Sequence, residues 1–298
     1  MHLPDLQAIP SPPLAWASFP VGPLVVHTYA LCIMAGIVAA ILITQARLHR
    51  RGVDRGVVVD VAICAVPVGI VVARLYHVVT HGGDYFFRGA DLWNVLAIWD
   101  GGDAIFGAMI GGFVGIVIAC RRAGLRVTAF VDALAPALLV AQAIGRLGNW
   151  FNHELFGLPT TLPWGLRIEA GNRAIPAGTP AGTLFHPLFL YELLFDLLGA
   201  ALIAWAGRRF ALQWGKQIGL YFVWYGVLRS WLEAIRIDPT GDRFLGIAVN
   251  DWTAFGSVLL GAAILVVQTR RHPGPEPDAL VRREAPAERR DEVATLPG

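Results

Sequence analysis

Ala143-Ile-Gly-Arg146-Leu-Gly-Asn149-Trp-Phe-Asn152-His-Glu154 ends a long apolar run in charge, and Tyr225-Gly-Val-Leu-Arg229-Ser-Trp-Leu-Glu233-Ala-Ile-Arg236 ends another the same way. Both runs are apolar enough for a bilayer, where an arginine near a helix centre costs roughly 2.5–3.5 kcal/mol on insertion scales. Such residues persist where they face a polar site instead of lipid. Two segments of this kind in one chain point to a buried anion site in a membrane protein, not to a passive anchor.

The surrounding sequence fits that reading. Of 298 residues, 55% are hydrophobic and only 15% charged, and the mean hydropathy is +0.56. A soluble domain of this length is rarely so apolar. Apolar windows long enough to span a bilayer (about 20 residues) recur at roughly 24–45, 57–79, 97–119, 128–149, 186–206, 217–236 and 247–268. The expected fold is all-α: a polytopic membrane protein with about seven transmembrane helices.

Charge distribution orients these spans. Arg47, Arg50, Arg51 and Arg55 form one basic loop, Arg121, Arg122 and Arg126 a second, and Arg208, Arg209 and Lys216 a third. The C-terminal stretch adds Arg270, Arg271, Arg282, Arg283, Arg289 and Arg290. These are 16 of the 24 basic residues, and all fall on one side if seven spans alternate. The positive-inside rule then puts the N-terminus outside and the C-terminus in the cytoplasm. Arg74, Arg88, Arg146, Arg167, Arg173, Arg229, Arg236 and Arg243 fall in outer helix halves or external loops, where a purely topogenic role does not explain them.

Residues 1–22 lack a basic leader and are broken by Pro4, Pro10, Pro12, Pro13 and Pro20, so the first span is expected to direct insertion. Cys32, Cys64 and Cys120 show neither a disulfide framework nor metal spacing and read as small packing residues. The transmembrane domain is expected over 1–268, with a small external cap in the Gly-, Pro- and Thr-rich segment 150–185. Residues 269–298, with Pro-Gly-Pro-Glu-Pro and then alternating Arg and Glu, are expected to be a disordered charged cytoplasmic tail. The third span is dense in glycine: Gly101, Gly102, Gly107, Gly111, Gly112 and Gly115. Its small residues fit either close helix packing or room for a lipid head group.

With this topology, polar groups gather in one leaflet. His27 and Tyr29 open the first span, Arg74, Tyr76 and His77 close the second, and Trp99-Asp100-Gly-Gly-Asp103 opens the third. Arg146, Asn149, Asn152 and Glu154 close the fourth, with the last two just past the helix end. His186, Tyr191 and Glu192 open the fifth, and Tyr225, Arg229, Glu233 and Arg236 close the sixth. Tyr225, Arg229, Glu233 and Arg236 fall on one helical face, as do Arg146 and Asn149. Blander readings stand beside these: Arg229 and Glu233 neutralising each other, Arg146 snorkelling, Tyr29 and Tyr191 as interfacial anchors, and His186 as a helix cap. Glu192 is harder to dismiss, because within a span it needs a partner such as an arginine.

On these residues the chain resembles the bacterial prolipoprotein diacylglyceryl transferases. Gly145-Arg-Leu-Gly-Asn-Trp-Phe-Asn-His-Glu-Leu-Phe-Gly157 looks like that family's signature. His186-Pro-Leu-Phe-Leu-Tyr-Glu192 and Tyr225 through Arg236 resemble two further family segments. Gly22-Pro-Leu-Val-Val-His27-Thr-Tyr29 and Ala73-Arg-Leu-Tyr76 add matches, and the order is kept over about residues 10–268. One position departs: Phe106 stands where many members have a histidine proposed as a base.

The resemblance implies transfer of a diacylglyceryl group from phosphatidylglycerol to the lipobox cysteine of a prolipoprotein, forming a thioether and releasing glycerol phosphate. The partners would be that lipid, the lipobox peptide and the bilayer, with no nucleic acid. The site would lie toward the external leaflet of a bacterial plasma membrane. A free thiol has a pKa of about 8.5, so attack needs a base or a positive field, and the leaving phosphate gains charge that arginines stabilise. Arg146 and Arg229 are candidates for that clamp and Asn149 for orienting the head group. Glu154 and Glu233 are candidates to position the arginines, and Glu154 or His27 to accept the thiol proton. Tyr29 and Tyr225 would line the site. Asn152, Arg236, His186, Tyr191 and Glu192 are expected substrate-binding residues. No metal or cofactor is expected. The competing class is a lipid or anion transporter, since intramembrane Arg–Glu pairs also mark transport pathways. No internal repeat supports it.

Overall fold

In a hydrocarbon layer backbone N–H and C=O groups find no water, so an apolar segment must satisfy them internally, as a helix does. Each apolar window is helical over most of its length in the computed structural model, which describes residues 8–87, 89–98, 104–169, 171–237 and 243–281. The helices are α1 (Thr28–His49), α2 (Gly56–Thr80), a short α3 (Gly82–Tyr85), α4 (Ile105–Arg122), α5 (Val127–Phe151), α6 (Leu188–Arg209), α7 (Lys216–Ala234) and α8 (Val249–Arg271). Five of them, α1, α2, α5, α6 and α8, are long and apolar enough to cross a membrane. Helix α7 carries Lys216, Gln217, Arg229 and Glu233 within 19 residues, which lowers its hydropathy. The expected opening of the third span, Trp99–Asp103, and residues 282–298 lie outside the described residues.

The described residues fall into two compact units, one within Met1–Arg47 and Val131–Glu276 and one within Leu48–Phe130 and Pro277–Gly298. In the first unit, Ala135 and Leu139 of α5, Ala200 and Ile203 of α6 and Tyr221 of α7 form the buried core between helices. Helix α5 is the most enclosed: 56% of its membrane-length window is buried, against 11% in α1 and α8. The apolar surfaces of α1 and α8 therefore face outward, as lipid-facing helices require.

The fold departs from a purely helical one at the ends of the spans. A hairpin of β2 (Ser18–Val21) and β3 (Leu24–His27) precedes α1, with Ser18 opposite His27. Residues 24–27, expected to begin the first span, are thus strand. A four-stranded sheet joins β1 (Ile9–Pro10), β5 (Leu166–Arg167), β6 (Leu184–Phe185) and β4 (Pro159–Thr160) in that order, and β7 (Arg243–Phe244) pairs with β8 (Ile247–Ala248). Beyond Phe151 the segment to 185 is too rich in Gly, Pro and Thr for a helix, and its backbone pairs in short strands. Phe156, Leu166, Ile168 and Phe185 pack there against Phe189 of α6.

Asp132, 1% exposed, holds the start of α7. Its carboxylate accepts N–H bonds from Gly215 and Gln217 at 2.8 Å and from Ile218 at 3.2 Å, satisfying donors that a helix start leaves without partners. Past α8, the His272 ring stacks on Trp214 at 3.9 Å and its carbonyl accepts from Lys216 Nζ at 2.9 Å.

In the second unit α2 packs along α4, and the glycines of α4 explain the contact. A Cβ at Gly107, Gly111 or Gly115 would lie 2.6–2.7 Å from atoms of α2, including the Cα of Ala73 and Ala65. These three face α2, so of the two readings of this stripe, close packing holds for them. Gly112 faces open space, and Gly101 and Gly102 lie outside the described residues. Gly115→Ala should therefore cost roughly 1–3 kcal/mol by overpacking. Gly112→Ala should be neutral or stabilising by up to about 1 kcal/mol. Thermal unfolding in detergent, followed by tryptophan fluorescence, would read both.

Candidate active site

The signature after Gly145 folds as nearly two final turns of α5 and a sharp reversal. Helix α5 ends at Phe151, so Asn152 and Glu154 lie just beyond it, as expected. His153 and Leu155 adopt left-handed backbone with φ of 53° and 57°, which non-glycine residues rarely hold without support. That support is visible. The Glu154 N–H returns to the Asn149 carbonyl at 2.9 Å, and Asn172 Nδ2 donates to the His153 carbonyl at 3.1 Å. The buried His153 ring bonds the Glu169 carboxylate through Nδ1 and the Pro12 carbonyl through Nε2, the latter at 2.7 Å. A carbonyl only accepts, so Nε2 carries a proton.

This turn aims a chain of polar groups along α5. Arg146 Nη2 donates to Glu192 Oε1 of α6 at 2.6 Å, and Nη1 donates to Asn149 Oδ1 at 3.3 Å. Asn149 Nδ2 then donates to Glu154 Oε2 at 3.4 Å. The partner that Glu192 requires is Arg146, and Glu154 reaches that arginine only through Asn149. On α7, Arg229 Nη2 donates to Glu233 Oε2 at 2.9 Å, and Asn250 Nδ2 of α8 reaches both Glu233 oxygens at 3.4 Å. Tyr225 lies one turn before Arg229, within electrostatic range of Arg146, Glu192 and Arg229. It stacks on Tyr221 at 6.2 Å.

Other candidates divide around this centre. Tyr29 packs on Gly148, where a Cβ would fall 2.5 Å from its ring. His186 caps no helix; its Nδ1 meets the Tyr191 hydroxyl at 3.2 Å, and that hydroxyl accepts from Trp164 Nε1 at 3.0 Å. His27 is exposed at the end of β3 and hydrogen-bonds none of the other candidates among the described residues. Arg236, bridged to Gly157, lines a cleft of about 550 Å³ together with Asn149, Asn152 and Glu154. In the second unit, Arg74 is buried, bonding the Val95 carbonyl at 2.9 Å and the Asn94 carbonyl, while Phe106 stands 41% exposed in the first turn of α4.

Each arginine meets a carboxylate and keeps donors in reserve. A guanidinium offers five N–H groups, and among the described residues Arg146 spends two on protein partners while its buried Nε has none. Two pre-paired arginines on helices α5 and α7 can therefore receive an anionic oxygen without first being ordered. Sequence reading missed Gln142, Asp196 and Asn250. Gln142 and Asp196 lie one helical turn from Arg146 and Glu192, so an i±4 scan for polar residues would have found them. Asn250 carries no such signal.

Glu169 sits outside the helices. Burial pushes its carboxyl up, but the hydrogen bonds from His153, its own backbone N–H and Asn172, with the charge of the histidine, outweigh this and hold it below the ordinary 4.5. A carboxyl lowered on folding contributes stability above its unfolded value, and that stability is lost as pH falls through the folded value. The melting temperature of the natural chain should therefore fall more steeply between about pH 5 and 3 than that of Glu169→Gln. Parallel melting curves across that range would show it.

Comparison with known proteins agrees with the geometry. Residues 17–267 match the family model described as prolipoprotein diacylglyceryl transferase. A phosphatidylglycerol–prolipoprotein diacylglyceryl transferase of Leifsonia xyli subsp. xyli is 57% identical over 280 residues, covering 91% of this chain and 84% of its own. One of Streptomyces coelicolor, bearing the same name with the numeral 2, is 46% identical over 272 residues, covering 91% and 84%. One of Bifidobacterium longum is 43% identical over 289 residues, covering 93% and 90%. With matches of this extent, the chain belongs to the prolipoprotein diacylglyceryl transferase family.

Proposed function

We propose that this chain is an enzyme that transfers the diacylglyceryl group of phosphatidylglycerol to the lipobox cysteine thiol of a prolipoprotein, the first step of lipoprotein maturation. The observation that carries the reading is the pair of arginine–glutamate units, Arg146–Glu192 and Arg229–Glu233, within a chain of this family. The thiol sulfur bonds the terminal glyceryl carbon as the carbon–oxygen bond to phosphate breaks. The electron pair leaves on glycerol phosphate, and Arg146 and Arg229 stabilise the charge that develops there. Asn149 orients the head group, Glu233 positions Arg229, and Tyr29 and Tyr225 line the path. Asn152, Arg236, His186, Tyr191 and Glu192 complete the substrate-binding residues.

The thiol proton passes to Glu154. Its exposed carboxylate is linked through Asn149 to Arg146, a connection that His27 lacks, and this supports Glu154 over His27 as the base. With phenylalanine at position 106, no histidine is available there for the task.

Helices α4 and α7 cross the membrane with the other five, giving seven spans, an external N-terminus and a cytoplasmic charged C-terminus. The excess of Arg and Lys in alternate loops supports this orientation. The enzyme then lies in the bacterial plasma membrane with residues 1–268 as catalytic domain, residues 150–185 as an external cap, and the site toward the outer leaflet.

The test uses purified protein in detergent with phosphatidylglycerol and a cysteine-containing lipobox peptide, following peptide mass. Arg146→Ala should lower turnover by at least about 100-fold. Arg146→Lys, which keeps the charge opposite Glu192 but loses the planar fork, should also be strongly impaired. Near-normal turnover by either folded variant would overturn the assignment.

A further inference from the structure

Just past α8, Pro273, Pro275 and Pro277 alternate with His272, Gly274 and Glu276. Proline fixes its own φ and biases the residue before it toward extended backbone, so such a segment is stiff and loses little entropy on docking. The residues between the prolines make contacts on the turn that starts α7. The His272 ring stacks on Trp214 at 3.9 Å, and the His272 carbonyl accepts from Lys216 Nζ at 2.9 Å. The Gly274 carbonyl accepts from Trp214 Nε1 at 3.2 Å. The Glu276 N–H donates to the side-chain oxygen of Gln213.

That turn needs holding. Ala211, Trp214 and Gly215 adopt left-handed backbone, with φ of 48°, 65° and 84°, and only the glycine does so without steric cost. Asp132 holds amides here, at Gly215, Gln217 and Ile218. The segment after α8 holds side chains, at Gln213, Trp214 and Lys216. It thereby closes one end of the α7–α8 pair. At the other end Asn250 of α8 reaches both carboxylate oxygens of Glu233, which also accepts from Arg229. Between the ends the two helices touch backbone to backbone. A Cβ at Gly261 would lie 2.5 Å from the Gly219 carbonyl oxygen, and one at Gly226 would lie 2.5 Å from that of Ala254. Helices packed this closely pass a shift at one end on to the other.

We propose that residues 272–276 are a positioning strap for α7. They hold the left-handed turn closed and so keep Glu233, and Arg229 with it, in register with Asn250. His272 is the main positioning residue of the strap and acts through α7, not on substrate. The strap itself needs only these contacts, whereas its effect on turnover rests on the transferase reading.

The experiment compares the natural full chain with His272→Ala, which removes the stack, and His272→Phe, which restores an aromatic face. Hydrogen exchange at the amides of Gln217, Ile218 and Gly219 reads the turn. Steady-state kinetics well below the melting temperature, with phosphatidylglycerol and a lipobox peptide, reads the site. In His272→Ala these amides should exchange about two- to tenfold faster, the factor that one aromatic stack carries. Its kcat should fall by a similar factor while both KM values stay, and His272→Phe should recover both quantities. A contact that only adds stability would leave kcat unmoved at that temperature. Trp214→Phe, which keeps the stack and loses the bond to Gly274, should lie between the natural chain and His272→Ala, and it carries the test if His272→Ala does not fold. Unchanged exchange in the folded variants would overturn the strap, as would faster exchange with kcat unchanged, or no recovery in His272→Phe. Exchange needs no substrate, so the two questions stay apart. Absence of transfer by the natural chain would defeat the transferase reading, and the exchange rates alone would then decide the strap.

Discussion

The contact between Arg146 and Glu192 is the constraint on which the helices around the site depend. It joins α5 to α6 at 2.6 Å, and the Glu192 side chain is only 4% exposed. Taking two charges out of water costs several kcal/mol each, a cost the pair offsets only while both partners are present and well aligned. Losing Arg146 would leave the Glu192 carboxylate buried without its partner, whereas Arg146, 26% exposed, would keep Asn149. Such a pair adds little net stability, but it admits only arrangements of α5 and α6 in which these two side chains meet. Asn149, and through it Glu154, is tied to the same guanidinium.

The same seam has an unfinished character. Among the described residues, Gln142 Oε1, Arg146 Nε, Glu192 Oε2 and Asp196 Oδ2 are buried without protein partners. A soluble core would seldom leave four such atoms together. Under the proposed function, this spare hydrogen-bonding capacity is what binding a polar, charged substrate would use.

Much of this was legible in the sequence, and the illegible parts share physical causes. Hydropathy located the helices because lipid demands long apolar runs, and helical spacing placed Arg146 beside Asn149 and Arg229 beside Glu233. Glu192 announced its need for an arginine, but no local pattern says which one: the pairing with Arg146 crosses from one helix to another. Hydropathy also cannot separate Leu24-Val-Val of β3 from the helix that follows, since strand and helix residues there are equally apolar. Cap strands of two residues are too short to show alternation. The His153 clamp depends on Pro12 and Glu169, which lie far from it in sequence and meet only in the fold.

Asp132 acts at a distance from this chemistry, as a depth gauge. By gripping the N–H groups of Gly215, Gln217 and Ile218 it starts α7 level with its own position on α5, and the two helices run on in the same sense. Arg146 lies about fourteen residues beyond Asp132, and Arg229 about twelve beyond Gln217, rises of roughly 21 and 18 Å. One carboxylate at the far end thus brings two guanidiniums to nearly the same height. A slip of α7 by a single residue would move Arg229 by about 1.5 Å and swing it by about 100° around the helix axis. Glu233, and Arg229 with it, would then turn away from Asn250 of α8.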